Sequence, residues 1–351
     1  MSRVCFALGP DGFGSYEVDL GSNPPRFRRT DTKAELTLVP GFVDIHIHGA
    51  FGIDFMSASR EEMVDLCTKL EGCGYESFLP TTVTASLEDV EKAMGNLPEH
   101  PMIEGFHLEG PFISPLHPGA QPPSHIIEPG TSAVEWKSVL EDERLKVVTL
   151  APEIAGARDL IRILTGRGVV VSMGHTDATY VQAGEGFYAG AQHTTHTYNA
   201  MRGLHHREAG TVGYALLNDA LRCELIYDRH HVSREAAEVL MRSKPAGGVI
   251  AVSDSSMATG MAAGKKITMW GQKCVTSAGE VRLESNGALA GSAITLLDAF
   301  RNLAEDFGAE TAIRACCLNP RQAIRISRPP RRYLLLGGGY EIVETAEPAA
   351  R

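Results

Sequence analysis

From Pro40 onward, short apolar runs alternate with stretches of helical period, and this alternation most limits what the chain can fold into. A run inside Pro40–Gly49 is followed by Tyr75–Val83, Met102–Leu108, Val147–Leu150, Val169–Met173, Ala191–Thr197, Leu221–Tyr227 and Val249–Ser253. Between the first two, Met63, Leu66, Cys67 and Leu70 recur at helical spacing, and Gly72 and Gly74 end the pattern. Ser86 is placed to cap a helix carrying Leu87, Val90, Met94 and Leu97, and Ser233–Arg242 reads as another helix. Eight strands separated by helices predict an α/β chain folded as a (β/α)8 TIM-like barrel rather than an open doubly wound sheet. Residues 1 to about 38, broken by Gly-Pro, Asn-Pro and Gly-Ser signals, read as strands outside the barrel, and Arg331–Glu347 as a tail returning to pair with them. Ser255–Gly291 is a long loop after the eighth strand, with a hairpin of Lys266–Val275 against Glu280–Leu283. Long loops on that face commonly serve as lids.

The polar residues that interrupt these runs concentrate at strand ends. Phe42, Val43, Ile45 and Ile47 are interrupted by Asp44, His46 and His48, which share one face if the strand is regular. Glu109 follows the third strand, His175 the fifth, His196 ends the sixth and Asp254 the eighth. Barrel enzymes place their chemistry on this C-terminal face. Imidazole and carboxylate donors without thiolates suit a catalytic divalent metal, zinc above all, with a coordination position left for water. His107 reads as a hydrogen-bonded core residue. His193 and His196, three apart, face opposite ways, and His205, His206 and His230 fall in loops with exposure expected.

The charge balance bears on partners. Lys and Arg number 33 against 43 Asp and Glu, a formal net charge of −10, which argues against nucleic acid or an anionic membrane as partner and requires a local basic pocket for any anionic substrate. No apolar run reads as a signal peptide or a membrane span, so a cytoplasmic protein is expected. The seven cysteines, odd in number and without Cys-x-x-Cys spacing, read as free buried thiols.

The segments PGFVDIHIHGAFGIDF, GFHLEGPFISP, MGHTDAT, THTYNAM, AVSDSSMATG and GALAGSAITLLDAFRNL together resemble the N-acetylglucosamine-6-phosphate deacetylases of the amidohydrolase superfamily. The resemblance implies Glu109, His175 and His196 as ligands of a main metal ion, His46 and His48 as ligands of a second, and Asp254 as catalytic acid/base. It implies one or two ions per subunit, most simply Zn2+, with Fe2+ or another divalent ion as alternatives. It places Gln121 near the sugar, Asn199, Ala200 and Arg207 at the phosphate, and His231 on the substrate. Because the basic contacts in this family can come from a neighbouring subunit, a homodimer is implied. The implied organisation is a barrel over residues 39–325 and a small β-sandwich built from residues 1–38 and 326–351. The family's stretch after the Asn-Pro-Ala motif is missing here, so the C-terminal part of that sandwich is shortened. The implied reaction is deacetylation of N-acetylglucosamine 6-phosphate, with N-acetylgalactosamine 6-phosphate or another N-acyl amino sugar as the alternative. A non-catalytic sugar-phosphate sensor is disfavoured, since Asp254 and every ligand are present. A urease-like site bridged by a carboxylated lysine is disfavoured too, because the fourth strand ends Leu150-Ala151-Pro152-Glu153.

Overall fold

The computed structural model describes residues 3–22 and 25–347, so the Asn-Pro turn signal at Asn23-Pro24 lies outside the described residues. Parallel strands run Phe42–Ile47, Tyr75–Pro80, Phe106–Glu109, Leu145–Leu150, Val170–Met173, His193–Thr194, Arg222–Ile226 and Val249–Val252, hereafter strands one to eight. The last six pair in sequence order within one sheet, and the first two form a parallel pair. Parallel bridges Thr81–His107 and Ile47–Ser255 span the two seams. At the second seam the Asp254 N–H donates to the His46 carbonyl at 2.9 Å and the His48 N–H to that of Ser255 at 2.9 Å. The sheet thus curls round as a TIM-like domain.

Two apolar layers hold it. Inside the curl, Val43, Ile45, Leu79, Val147, Val170, Ile226, Ile250 and Val252 pack together, with Ala323 beneath them. Outside, a larger core joins strands to helices. Helix Arg60–Gly72 buries Met63, Leu66, Cys67 and Leu70, the residues its period selects, and Ser59 with Glu62 closes a capping box at its start. Each such buried side chain contributes roughly 1.5–3 kcal/mol. Ser86 caps helix Leu87–Gly95 as its position predicts, and Ser233 caps helix Arg234–Ser243. Helix Leu296–Phe307 follows the long insert and packs its apolar face, Leu296, Phe300 and Leu303, on the same core.

Three expectations are revised. The sixth strand is two residues long instead of seven, because the chain turns out of the pleat before His196, whose φ is 29°. The insert is a four-stranded antiparallel sheet, Lys266–Met269, Gln272–Thr276, Glu280–Leu283 and Leu289–Ser292, not a single hairpin with a long first arm. Trp270 and Gly271 split that arm: with φ of 54° and 74° they make the tight left-handed turn that joins adjacent strands. Among the described residues, the two termini meet in one six-stranded sheet rather than in two facing layers. In it Tyr333–Leu336 pairs antiparallel with Leu36–Pro40, so the shortened tail still docks, over a small core of Cys5, Tyr16, Val18, Leu38 and Leu335. No helix among the described residues is long and apolar enough to cross a membrane.

Candidate active site

The ends of strands one, three, five, six and eight converge, and local backbone breaks aim their side chains. In strand one the pairing register shifts between Asp44 and Ile47. Ile45 therefore joins the inner apolar layer, and Asp44 does not share a face with His46 and His48. Its carboxylate accepts instead from the Tyr75 hydroxyl and the Ser253 N–H, and the Tyr75 oxygen accepts the N–H of Leu296 from the surrounding helix. Burial, only partly offset by hydrogen bonds from Ser253 and His46, pushes the Asp44 carboxyl up to about 6. His175, His196 and Asp254 have φ of 47°, 29° and 47°, a left-handed backbone that costs such residues on the order of 1–3 kcal/mol and gathers at functional sites.

Four imidazoles and two carboxylates meet there, all nearly or fully buried. The Nε2 atoms of His46 and His48 lie 3.3 Å apart, and those of His175 and His196 lie 3.2 Å apart. Glu109 joins the two pairs: Oε1 is 3.2 Å from His175, 3.1 Å from His196 and 3.4 Å from His46, and Oε2 is 3.3 Å from His48. Asp254 Oδ1 lies 3.2 Å from His48 and 3.4 Å from His46. Each Nδ1–H is already engaged, donating to Glu224 from His46, to the Thr81 carbonyl from His48, to the His117 carbonyl from His175 and to the Asn199 carbonyl from His196, at 3.0–3.2 Å. That fixes the rings so that every Nε2 lone pair faces inward.

Nitrogens set this way can share a cation between them. With metal–nitrogen bonds of about 2.0–2.1 Å at tetrahedral angles, ligand nitrogens sit about 3.3 Å apart, which matches both pairs. The electrostatics agree. Burial disfavours a charged imidazole at His48, yet hydrogen bonds with Asp254 and Glu109 carry it up to about 9. Burial likewise opposes ionisation of Asp254, but the surrounding His46, His48 and His196 hold its carboxyl down to about 2. The carboxylates thus remain anionic and the centre demands positive charge. The donor sets His46–His48–Asp254 and His46–Glu109–His196 each gather within 4.8 Å, so the residues fit a divalent metal.

The site opens to a cavity of about 250 Å3 that Gln121, Asn199, Ala200 and His231 also line. Gln121 donates its amide to Glu109 at 2.5 Å while its oxygen accepts the Thr84 N–H, so it holds the carboxylate as well as facing the cavity. His231 is oriented by Asp228, whose carboxylate accepts from its Nδ1 at 2.6 Å. Arg207 is exposed, beside His205 and His206, and does not line the cavity within this chain. His107 is the hydrogen-bonded core residue its setting predicts, bonded to the Ile45 carbonyl and to Thr149. His193 does not line the cavity and is buried with neither ring nitrogen bonded.

Residue-by-residue reading missed Glu224, Asp228 and Trp270. Glu224 is fully buried, and one oxygen accepts from both the His46 ring, at 3.1 Å, and the His196 N–H, at 3.4 Å. The signal was available, since an acidic residue sits centrally in the apolar run Cys223-Glu224-Leu225-Ile226.

A model of the amidohydrolase family matches residues 37–329. The N-acetylglucosamine-6-phosphate deacetylase of Lysinibacillus sphaericus is 36% identical over 299 residues, covering 83% of this chain and 77% of that one. The N-acetylgalactosamine-6-phosphate deacetylase of Escherichia coli O157:H7 is 35% identical over 306 residues, 85% of this chain and 80% of that one. A mutant N-acetyl-D-glucosamine-6-phosphate deacetylase from Mycobacterium smegmatis, solved in complex with N-acetyl-D-glucosamine-6-phosphate, superposes with a TM-score of 0.86 at 26% identity, covering 99% of this chain and 98% of that one.

Proposed function

The chain belongs to the amidohydrolase family, and we propose that it hydrolyses the acetamido group of N-acetylglucosamine 6-phosphate to glucosamine 6-phosphate and acetate, a step of amino-sugar catabolism. The observation that carries this reading is the pair of inward-facing imidazole couples bridged by Glu109, in a family that is metal-dependent. We take the curled sheet as a complete (β/α)8 barrel. Glu109, His175 and His196 would hold the main ion and His46 with His48 a second, with zinc as the metal. A bound divalent ion would supply a water of pKa near 7 instead of about 15.7, and a Lewis acid for the amide carbonyl.

The chain's own residues do the rest. Asp254, anionic at neutral pH and 3.2 Å from His48, stands at the edge of the ligand cluster, where it can take a proton from the attacking water and then deliver it to the departing amine. Without that second transfer the tetrahedral adduct returns to amide, because an unprotonated amine is a poor leaving group. His231, held by Asp228, and the Asn199–Ala200 turn form the sugar side of the cavity. Arg207 reaches a phosphate best as a contact offered to a neighbouring subunit in a homodimer, where its planar fork donates two hydrogen bonds.

N-acetylgalactosamine 6-phosphate is the second reading, favoured by the Escherichia coli relative. Acetate release from the two phosphorylated sugars, with and without added zinc, tests both. Zinc-dependent release from the gluco sugar is expected. Release from the galacto sugar alone would exchange the two readings, and release from neither would overturn both.

A further inference from the structure

On the side of the cavity away from His231 and Asn199, one wall is the indole of Trp270. That residue sits at the tip of the first hairpin of the insert, its ring 5.3 Å from the His48 ring and edge-on to it. The hairpin is fastened over the site, since the Gln272 amide donates to the Ala120 carbonyl at 2.7 Å, next to Gln121. Behind the same indole lies a second hollow of about 810 Å3, whose walls mix Met56, Val83, Pro122, Met257 and Met269 with polar residues such as Asp54, Asp89 and His125. Among the described residues Trp270 alone lines both hollows, so it is the partition between them.

The arrangement of strand ends decides which part of a substrate meets this partition. Of the proposed substrate contacts, His231, Asn199 and Ala200 come from the loops after strands six and seven, whereas Trp270 leans on His48, at the end of strand one, and on the loop that carries Gln121, whose amide is taken up by Glu109. A planar amide whose carbon lies among the ligands sends its nitrogen, with the sugar, towards strands six and seven. Its acyl group then points the opposite way, at the indole. An acetyl methyl ends there, and a longer chain would have to pass through the ring to enter the larger hollow.

We propose that Trp270 is a specificity-determining residue that limits the enzyme to short acyl groups by closing the reaction site off from the larger hollow. This rests on the deacetylase reading above. The chemistry is unchanged for a longer chain: the amide C–N bond breaks, the hydroxyl of water joins the acyl carbon, its proton goes to the amine, and a longer carboxylate leaves.

The test compares N-acetyl- and N-butanoylglucosamine 6-phosphate on the zinc-loaded protein and on Trp270→Ala and Trp270→Phe. Each misplaced methylene in a pocket is worth about 10- to 200-fold, so the protein is expected to favour the acetyl substrate in kcat/KM by about 100-fold or more. In Trp270→Ala that preference is expected to shrink by about tenfold or more, chiefly through KM for the butanoyl substrate, and Trp270→Phe is expected to fall between. Both substrates are read on one preparation, so loss of folded protein cancels in the ratio. An unchanged ratio in Trp270→Ala, or equal use of both substrates by the unaltered protein, would overturn the assignment. Absence of any acetate release from the unaltered protein would instead sink the deacetylase reading.

Discussion

The two ends of the interior of the curled sheet are built from the same strands yet obey different rules. Towards the N-terminal end, Val43, Val147, Val170 and Ile250 lie within the strands and fill the space with aliphatic side chains. At the C-terminal end the pleat fails repeatedly, through the register shift after Asp44 and the left-handed His175, His196 and Asp254, and the side chains are imidazoles and carboxylates. His193 and His196 show the contrast within one short segment. The first lies in the strand, buried and unbonded, and the second, just beyond it, faces Glu109 at 3.1 Å. Position on the strand, rather than residue type, decides whether a histidine is packing or chemistry.

If that division holds, substitutions at the upper end should change turnover or metal, and those at the lower end stability alone. The largest effect is expected for Asp254→Asn, which keeps the shape but removes the proton carrier: turnover should fall by about 10²- to 10⁴-fold with a small change in KM. Steady-state kinetics on folded, metal-loaded protein checks this, and near-normal turnover would assign the proton to another group. Next in size, Ile250→Ala in the lower layer should cost about 2–5 kcal/mol in denaturant unfolding while kcat per folded molecule stays the same. A matching loss of kcat would erase the distinction between the two ends.

Glu224 stands between the layers and sharpens the comparison. Of the four ring Nδ1–H groups only that of His46 meets a carboxylate, a partner that strengthens this imidazole as a ligand. Glu224→Gln should weaken binding of the second ion by about 10- to 100-fold, measured by competition with a chelator, and leave the first ion in place.

The smallest effect concerns His193. Burial, with Arg222 and Arg325 nearby, pushes its pKa down to about 3, against about 6.5 when unfolded. The folded state therefore binds fewer protons, and stability is lost as pH falls below about 6.5 and on towards 3. Between pH 7 and pH 5 this amounts to about 2 kcal/mol, which His193→Gln should remove. Parallel stability profiles for the two proteins would show that His193 is not held neutral.

Much of this was legible because a TIM-like domain leaves a plain mark: apolar runs set the strands, and the interruptions at their ends pointed to His46, His48, Glu109, His175, His196 and Asp254, which the fold brings together. What escaped did so for local reasons. A period-two reading cannot see the register shift that turns Asp44 away towards Tyr75. Glu224 sits mid-strand, away from the strand ends that carry the other polar groups, and Trp270 matters only because a left-handed turn brings the insert back over the site. Arg207 illustrates a different gap, since the role the resemblance implies for it belongs to an assembly and one chain leaves it exposed.

The central claim is that Glu109 organises one metal centre from two histidine pairs, and metal analysis of Glu109→Gln beside His46→Asn tests it most directly. Glu109 touches all four rings, so its loss should abolish tight binding, whereas His46→Asn should remove at most one ion and leave the ion held by Glu109, His175 and His196. Full metal retention by Glu109→Gln would contradict the account.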